Sequence, residues 1–167
     1  ANVVGVDVNP YAVETINQGK IHIVEPGLEA IVKQAVDNNR LKASLTPVHS
    51  DAYLIAVPTP FKGDEHEPDL SYIQAVSKAL APLLEKGDVV ILESTSPVGA
   101  TEKMVEWLAE ERSDLTFPKY HEPDIEADIF VAYCPERVLP GKVVEELISN
   151  DRIIGGMTKE STKRAQE

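Results

Sequence analysis

The 167-residue chain has little to offer several common chemistries. It holds one cysteine and four histidines, and only 5% of its residues are aromatic. A single thiol excludes an internal disulfide, which suits a reducing compartment such as the cytoplasm. Basic residues are scarce, 16 Lys and Arg against 28 Asp and Glu, for a formal net charge of -12. Such a surface repels phosphate backbones and anionic lipid, so neither nucleic acid nor a membrane is an expected partner. An anionic small molecule is then held only by local donors, backbone N–H groups or a placed Arg. No apolar run approaches the roughly 20 residues of a membrane span, and no signal peptide is visible. A glycine-rich phosphate loop is also missing from the first residues, although "VVGVDVNP" (3–10) places Asp7 at the end of an apolar run. An acidic residue in that setting holds a cofactor ribose, and it normally follows such a loop by about 20 residues.

What is present is a regular alternation of strand and helix patterns in a chain that is 43% hydrophobic, the signature of a parallel sheet with crossover helices. Asn2 to Val8 reads as a strand, and Asn9 caps a helix that has Pro10 at its first position and ends near Gly19. A second helix follows "EPG", with Leu28, Ile31, Val32 and Ala35 on one face, before a short strand over Leu41 to Thr46. "AYLIAV" (52–57) reads as a strand buried on both faces. Asp69 caps a helix carrying Ile73, Val76, Leu80 and Leu83, which Lys86-Gly87 stops. "VVIL" (89–92) is another buried strand, and the helix after Gly99 carries Met104, Val105 and Leu108. Residues 113–128 read as an excursion loop, "IFVAY" (129–133) as a strand, "RIIGG" (152–156) as a further short strand, and "TKESTKRAQE" as the opening of a helix.

Three of these strands run into unusual polar, proline-rich sequence: "PTP", "ESTSPVG" and "CPERVLPG". Ligands of open parallel sheets sit outside the carboxyl ends of the strands, so three such tips in succession mark one cleft rim. Asp7 can accept from both ribose hydroxyls of an adenosine and repels a 2′-phosphate, which favours NAD over NADP; the alternative is an Asp that only caps the following turn. Thr59 lies between two prolines that lack an N–H, so the loop donates there alone. Thr95 stands where its hydroxyl can orient a water or an oxyanion, or else simply mark a helix entry. Glu136 is a candidate base or water-positioning group and Arg137 a partner for a carboxylate or phosphate, in a loop stiffened by Pro135 and Pro140; the alternative is a surface ion pair. Cys134 reads as a small packing residue rather than a nucleophile, with no His near it in sequence. His66, in "KGDEHEPD" (62–69), sits among carboxylates of irregular spacing, and no metal is expected.

"GVDVNPYAVETINQGKIHIVEPGL", "AVPTPFKGDEHEPDLSYI", "ILESTSPVGATEKM", "YCPERVLPG" and "RIIGGMT", in this order, resemble the UDP-glucose/GDP-mannose dehydrogenase family over nearly the whole chain. The resemblance implies a Rossmann-like doubly wound parallel sheet over residues 1–167, incomplete because its first strand and glycine-rich loop are absent, with the central helix and UDP-binding domain also outside. It implies NAD as cofactor, held by Asp7, Thr59 and Thr95, and a UDP-sugar substrate contacted by Arg137 and Val138. Glu136 and Thr95 are the implied catalytic residues, while the nucleophilic Cys and a Lys lie outside these residues. The implied reaction is oxidation of C6 of UDP-N-acetyl-D-mannosamine to the acid with two NAD, for surface polysaccharide synthesis, by a homodimer or higher homo-oligomer. Alternatives are a UDP-N-acetylglucosamine 6-dehydrogenase or a non-catalytic nucleotide-binding fragment. Some relatives carry an acid four residues after the Glu of the last long motif, where this chain has Pro140, and an Arg where it has Ala12. In the strand order 3-2-1-4-5-6, absence of strand 1 leaves two edges unpaired, each unmet N–H or C=O costing about 1–3 kcal/mol. A chain of these residues alone is therefore expected to re-pair strand 2, exchange with a second copy, or fold poorly.

Overall fold

The structure, a computed structural model, describes residues 1–63, 67–122 and 124–167. In chain order the elements are β1 (Val3–Val6), α1 (Pro10–Asn17), α2 (Leu28–Asp37), β2 (Leu41–Ser44), β3 (Ala52–Ile55), β4 (Phe61–Lys62) and β5 (Glu67–Pro68). They continue with α3 (Ser71–Leu80), β6 (Val89–Leu92), α4 (Ala100–Glu111), β7 (Phe130–Tyr133), α5 (Val143–Ser149), β8 (Gly155–Gly156) and α6 (Lys159–Gln166). The chain forms two compact units, one of Ala1–Val48 with Arg137–Asp151, the other of His49–Glu136 with Arg152–Glu167.

In the first unit β1 and β2 pair in parallel, Val3 opposite Leu41 and Val6 opposite Ser44. Asn9 caps α1 as its sequence predicts, its side chain accepting from the Tyr11 N–H with Pro10 in the first turn. The amide of Asn17, at the end of that helix, donates to the Ala43 carbonyl at 3.0 Å and accepts the Ala43 N–H at 2.8 Å. That pair satisfies the outer edge of β2 at this residue, where an unpaired backbone group is costly. The apolar face expected on α2 is present but shallow: no residue of α2 is fully buried, and Ile31 is 48% exposed.

The second unit holds the larger core. β3, β6 and β7 pair in parallel and in register, so that Ala52, Val89 and Phe130 lie level at one end and Ile55, Leu92 and Tyr133 at the other. β8 joins antiparallel, Gly155 opposite Tyr133. Ile73, Leu92, Met104, Leu108, Ile129 and Val131 are fully buried, drawn from α3, β6, α4, β7 and the residue just before β7. Each such side chain contributes about 1.5–3 kcal/mol through burial. Gly99 opens α4 at φ +89° with open space around it, so its requirement is conformational.

Three expectations need correction. β3 alternates instead of burying both faces: Tyr53 and Ile55 are in the core, while Leu54 is 58% exposed. Among the described residues β3 pairs with β6, and its side chains alternate between core and solvent with the two-residue period of the pleat. Asp69 is not the residue that flanks α3; it stands one position earlier and accepts the Ser71 N–H at 2.9 Å. α3 stops at Leu80, well before Lys86-Gly87, and passes into a 3-10 turn over Ala81–Leu83. Pro82 is the reason, since it has no N–H to continue the helical ladder. Finally, α5 and the β4–β5 hairpin were not anticipated. Among the described residues β1 pairs with β2 alone.

Where β8 turns into α6, the backbones touch. A Cβ on Gly156 would lie 2.2 Å from the Thr162 nitrogen and 2.6 Å from its Oγ1, while the Gly156 N–H donates to that hydroxyl. Gly156→Ala is expected to destabilise the protein by about 1–3 kcal/mol through overpacking. Urea unfolding of the variant checks this, and an unchanged midpoint would contradict it.

Candidate functional site

The level ends of β3, β6 and β7 set the three tips side by side. Leaving β3, the Val57 N–H donates to Ser94 Oγ at 2.8 Å, and Ser94 Oγ donates to the Ile55 carbonyl. The Glu93 and Ser94 N–H groups converge on that same carbonyl, so the β6 tip is folded over the end of β3. Thr59 Oγ1 donates to the Thr95 carbonyl at 2.5 Å, which ties the "PTP" turn directly to "ESTSPVG". The β7 tip is tied in turn: the Cys134 N–H donates to the Leu92 carbonyl, the Glu136 N–H to the Glu93 carbonyl at 3.2 Å, and the Ser96 N–H to the Tyr133 hydroxyl. Thr59, Thr95 and Glu136, chosen from sequence, are thus carried on one sheet edge.

A cluster that the sequence did not single out completes this edge. The Arg152 guanidinium donates through Nη1 to Glu136 Oε2 at 3.1 Å, through Nη2 to Glu93 Oε1, and through Nε and Nη2 to Cys134 Sγ, each at 3.5 Å. Hydrogen bonding to the Cys134 sulfur, and pairing with Glu93, hold the guanidinium proton more firmly than usual, against the opposing effect of burial. Cys134 is buried, in keeping with a packing residue. A lone Arg heading the short "RIIGG" strand in so acidic a chain is the available signal for Arg152. Glu93, directly after "VVIL", reads only as the polar end of a strand.

Asp7, Arg137 and Val138 belong to the first unit. Asp7 is exposed at the end of β1, and its Oδ1 accepts the Asn9 N–H at 2.8 Å, so the turn-capping role is real. That bond also fixes the carboxylate at the strand tip, where it keeps further acceptor capacity. Arg137 is exposed and Val138 half-buried, in a loop anchored from both ends. The Asn150 amide donates to the Arg137 carbonyl, and buried Glu25 accepts the N–H groups of Gly141 at 2.9 Å and Val143 at 2.8 Å. Glu25 went unnoticed in "EPG", because nothing local indicates that its partners lie more than a hundred residues away.

No group of three or more His, Cys, Asp or Glu side chains is gathered for a metal ion among the described residues, and His66 lies outside them. No helix of the described residues is long and apolar enough to cross a membrane.

The family model for the UDP-glucose/GDP-mannose dehydrogenase family, NAD binding domain, matches residues 1–167. The chain belongs to this family. It is 62% identical over 165 residues to a UDP-N-acetyl-D-mannosamine dehydrogenase of Escherichia coli (strain K12), covering 99% of this chain and 39% of that protein. It is 58% identical over 164 residues to an NDP-N-acetyl-D-galactosaminuronic acid dehydrogenase of Ralstonia nicotianae, covering 98% and 38%. Among solved structures, a UDP-N-acetyl-mannosamine dehydrogenase from S. aureus superposes with a TM-score of 0.88 at 36% identity, over 99% of this chain and 38% of that one. A ternary complex of GDP-mannose dehydrogenase from Pseudomonas aeruginosa gives 0.86 at 25%, over 99% and 38%. The chain therefore spans well under half the length of the relatives it matches. The Rossmann-like class that the resemblance implies is correct, as is the parallel sheet read from the alternating elements. The cofactor of the family domain is NAD. Each unit by itself offers groups of a kind that can bind such a cofactor: a carboxylate at the tip of β1 in the first, and threonines on neighbouring tips of a parallel sheet in the second.

Two expectations follow from the loops. Glu25→Gln keeps one strong acceptor oxygen and loses the other, so the Gly141 and Val143 amides are expected to exchange with solvent at least about tenfold faster, the equivalent of about 1.4 kcal/mol. Hydrogen-exchange mass spectrometry reads this, and unchanged protection would remove Glu25 as the anchor. Beyond the "PTP" turn, Lys62 pairs with Asp69 at 2.7 Å and, with the Ser71 hydrogen bonds, holds that carboxyl down at about 2. A carboxyl lowered on folding stabilises the protein above the ordinary carboxylate range, and this is lost as pH falls from there through about 2. Lys62→Met is expected to bring the Asp69 titration, followed by NMR, back up toward the ordinary range; no movement would mean that Lys62 is not the cause.

Proposed function

We propose that this chain is the NAD-binding part of a nucleotide-sugar 6-dehydrogenase that oxidises UDP-N-acetyl-D-mannosamine to UDP-N-acetyl-D-mannosaminuronate, for surface polysaccharide synthesis in the cytoplasm. The observation that carries the reading is the meeting of Thr59, Thr95 and Glu136 on three adjacent strand tips of a chain in this family. The mannosamine substrate is favoured by the 62% identity to an enzyme named for it. Residues 1–167 form the Rossmann domain without its first βα unit, and the central helix, the UDP-binding domain, the nucleophilic Cys and the Lys come from elsewhere in a homodimeric or larger enzyme.

Each side chain has a role suited to its chemistry. Asp7 accepts from the ribose hydroxyls and disfavours a 2′-phosphate. Thr59 and Thr95 line the cofactor site. Arg137 pairs with an anionic group of the sugar nucleotide, and Val138 packs against it. NAD, when bound, accepts the hydride from C6 in each of two oxidations. Each oxidation also releases a proton, and water contributes the oxygen that turns aldehyde into acid. Glu136 orients that water and takes up its proton, with the Thr95 hydroxyl as a second hydrogen-bonding group.

Turnover of UDP-N-acetyl-D-mannosamine with NAD by the whole enzyme, compared with its glucosamine and galactosamine epimers, tests the substrate. Two NADH per sugar with the mannosamine form preferred is the expected result, and preference for another epimer would overturn the substrate assignment. Asp7→Ala is expected to raise the Kd for NAD about tenfold, or about 1.4 kcal/mol, with sugar-nucleotide affinity unchanged in calorimetry. Unaltered NAD affinity would leave Asp7 as a turn cap only.

A further inference from the structure

We infer that Arg152 is the positioning residue for Glu136, holding its carboxylate on the rim formed by the β6 and β7 tips. This rests on the functional reading above, in which Glu136 handles the water. The guanidinium is a rigid planar fork, and here it is engaged on more than one edge: Nη1 on Glu136, Nη2 on Glu93 and, with Nε, on the Cys134 sulfur. Glu93 follows β6 and Glu136 follows β7, and the Glu136 N–H donates to the Glu93 carbonyl, so two carboxylates are brought to adjacent points of one edge. Left without a cation between them, two such charges would push apart, and the Glu136 side chain would swing from the rim. With Arg152 between them, their oxygens are fixed on opposite arms of one group.

The chain path strengthens the case. The second unit gives up the chain after Glu136 and takes it back at Arg152. The ion pair between those residues therefore joins the two ends of the 137–151 excursion, and the carboxylate is held by a residue far from its own loop. Glu93 is mostly buried, at 17% side-chain exposure, whereas Arg152 and Glu136 are 34% and 36% exposed. Glu93 and Cys134 thus seat the guanidinium on its more buried side, and Glu136 meets it on the more exposed side. A lysine in place of Arg152 keeps the charge but cannot span three acceptors in fixed geometry.

The test is a mutant cycle in the whole enzyme, comparing Arg152→Gln, Arg152→Lys, Glu136→Gln and the double variant Arg152→Gln/Glu136→Gln. Arg152→Gln is expected to lower kcat about 10²-fold, of the order of losing a positioned acid–base group. KM for NAD and for the sugar nucleotide should stay within about threefold, because the change removes no proposed substrate contact. In the Glu136→Gln background the same change should cost under about threefold, since residues that act as one unit are not additive. Arg152→Lys should fall between wild type and Arg152→Gln in kcat, with a thermal midpoint close to wild type; it carries the test if Arg152→Gln does not fold. A full repeat of the Arg152 loss in the Glu136→Gln background, or wild-type kcat in both Arg152 variants, would overturn the proposal. Failure of the wild type on UDP-N-acetyl-D-mannosamine would sink the substrate assignment alone. The cycle is then run on the UDP-N-acetylhexosamine that the enzyme does oxidise, where the same non-additivity is required.

Discussion

The second unit depends on the parallel, in-register pairing of β3, β6 and β7. Because Ile55, Leu92 and Tyr133 stand level, every residue that follows them leaves the sheet from one edge. A slip of one residue on β6 would turn its core-facing side chains over, since the side-chain period of a strand is two. It would also separate Ser94 from Val57, Thr95 from Thr59, and Glu136 from the Glu93 carbonyl. Core packing by Leu92, Met104, Leu108 and Val131 thus fixes the register, and the register fixes the tips. Chemistry at the edge is set by apolar contacts below it.

Polar residues at this edge act chiefly on one another. Ser94, buried, bridges two strand ends through its hydroxyl, while Thr59 spends its hydroxyl on a neighbouring carbonyl. Such bonds satisfy backbone groups that would be left over where a sheet ends, and they stiffen loops whose prolines already limit φ. Arg152 does the same for charge. In a chain of net charge -12, it gathers two carboxylates and a thiol about one guanidinium. The first unit shows a parallel arrangement without a cation: buried Glu25 is satisfied by two backbone N–H groups at the start of α5.

Much of the framework was readable from local sequence. The strands, the Asn9–Pro10 helix start, the Gly99 helix start and the buried faces of α3 and α4 all follow from patterns within a few residues. The failures have local causes of another kind. Pro82 ends α3 before the Lys-Gly signal, and β3 reads as doubly buried because a row of apolar residues does not reveal which of its side chains face the core. Of the candidate site, the shared edge of Thr59, Thr95 and Glu136 is legible because prolines and glycines mark strand ends. Glu25, Glu93 and Arg152 were missed because their partners come from distant segments, and a charged residue beside a strand looks the same whether it is solvated or paired.

The amino-acid sequence by itself determined the alternation of strands and helices, the three proline-marked tips and the family to which their motifs belong. These reside in spacings of a few residues, where backbone preference and side-chain period act directly. Tertiary structure alone decided which tips stand side by side, that Thr59 bonds to Thr95, and that Arg152 closes on Glu93, Cys134 and Glu136. Those facts depend on strand order and register, which arise when distant apolar segments pack, and no single stretch of chain contains that information.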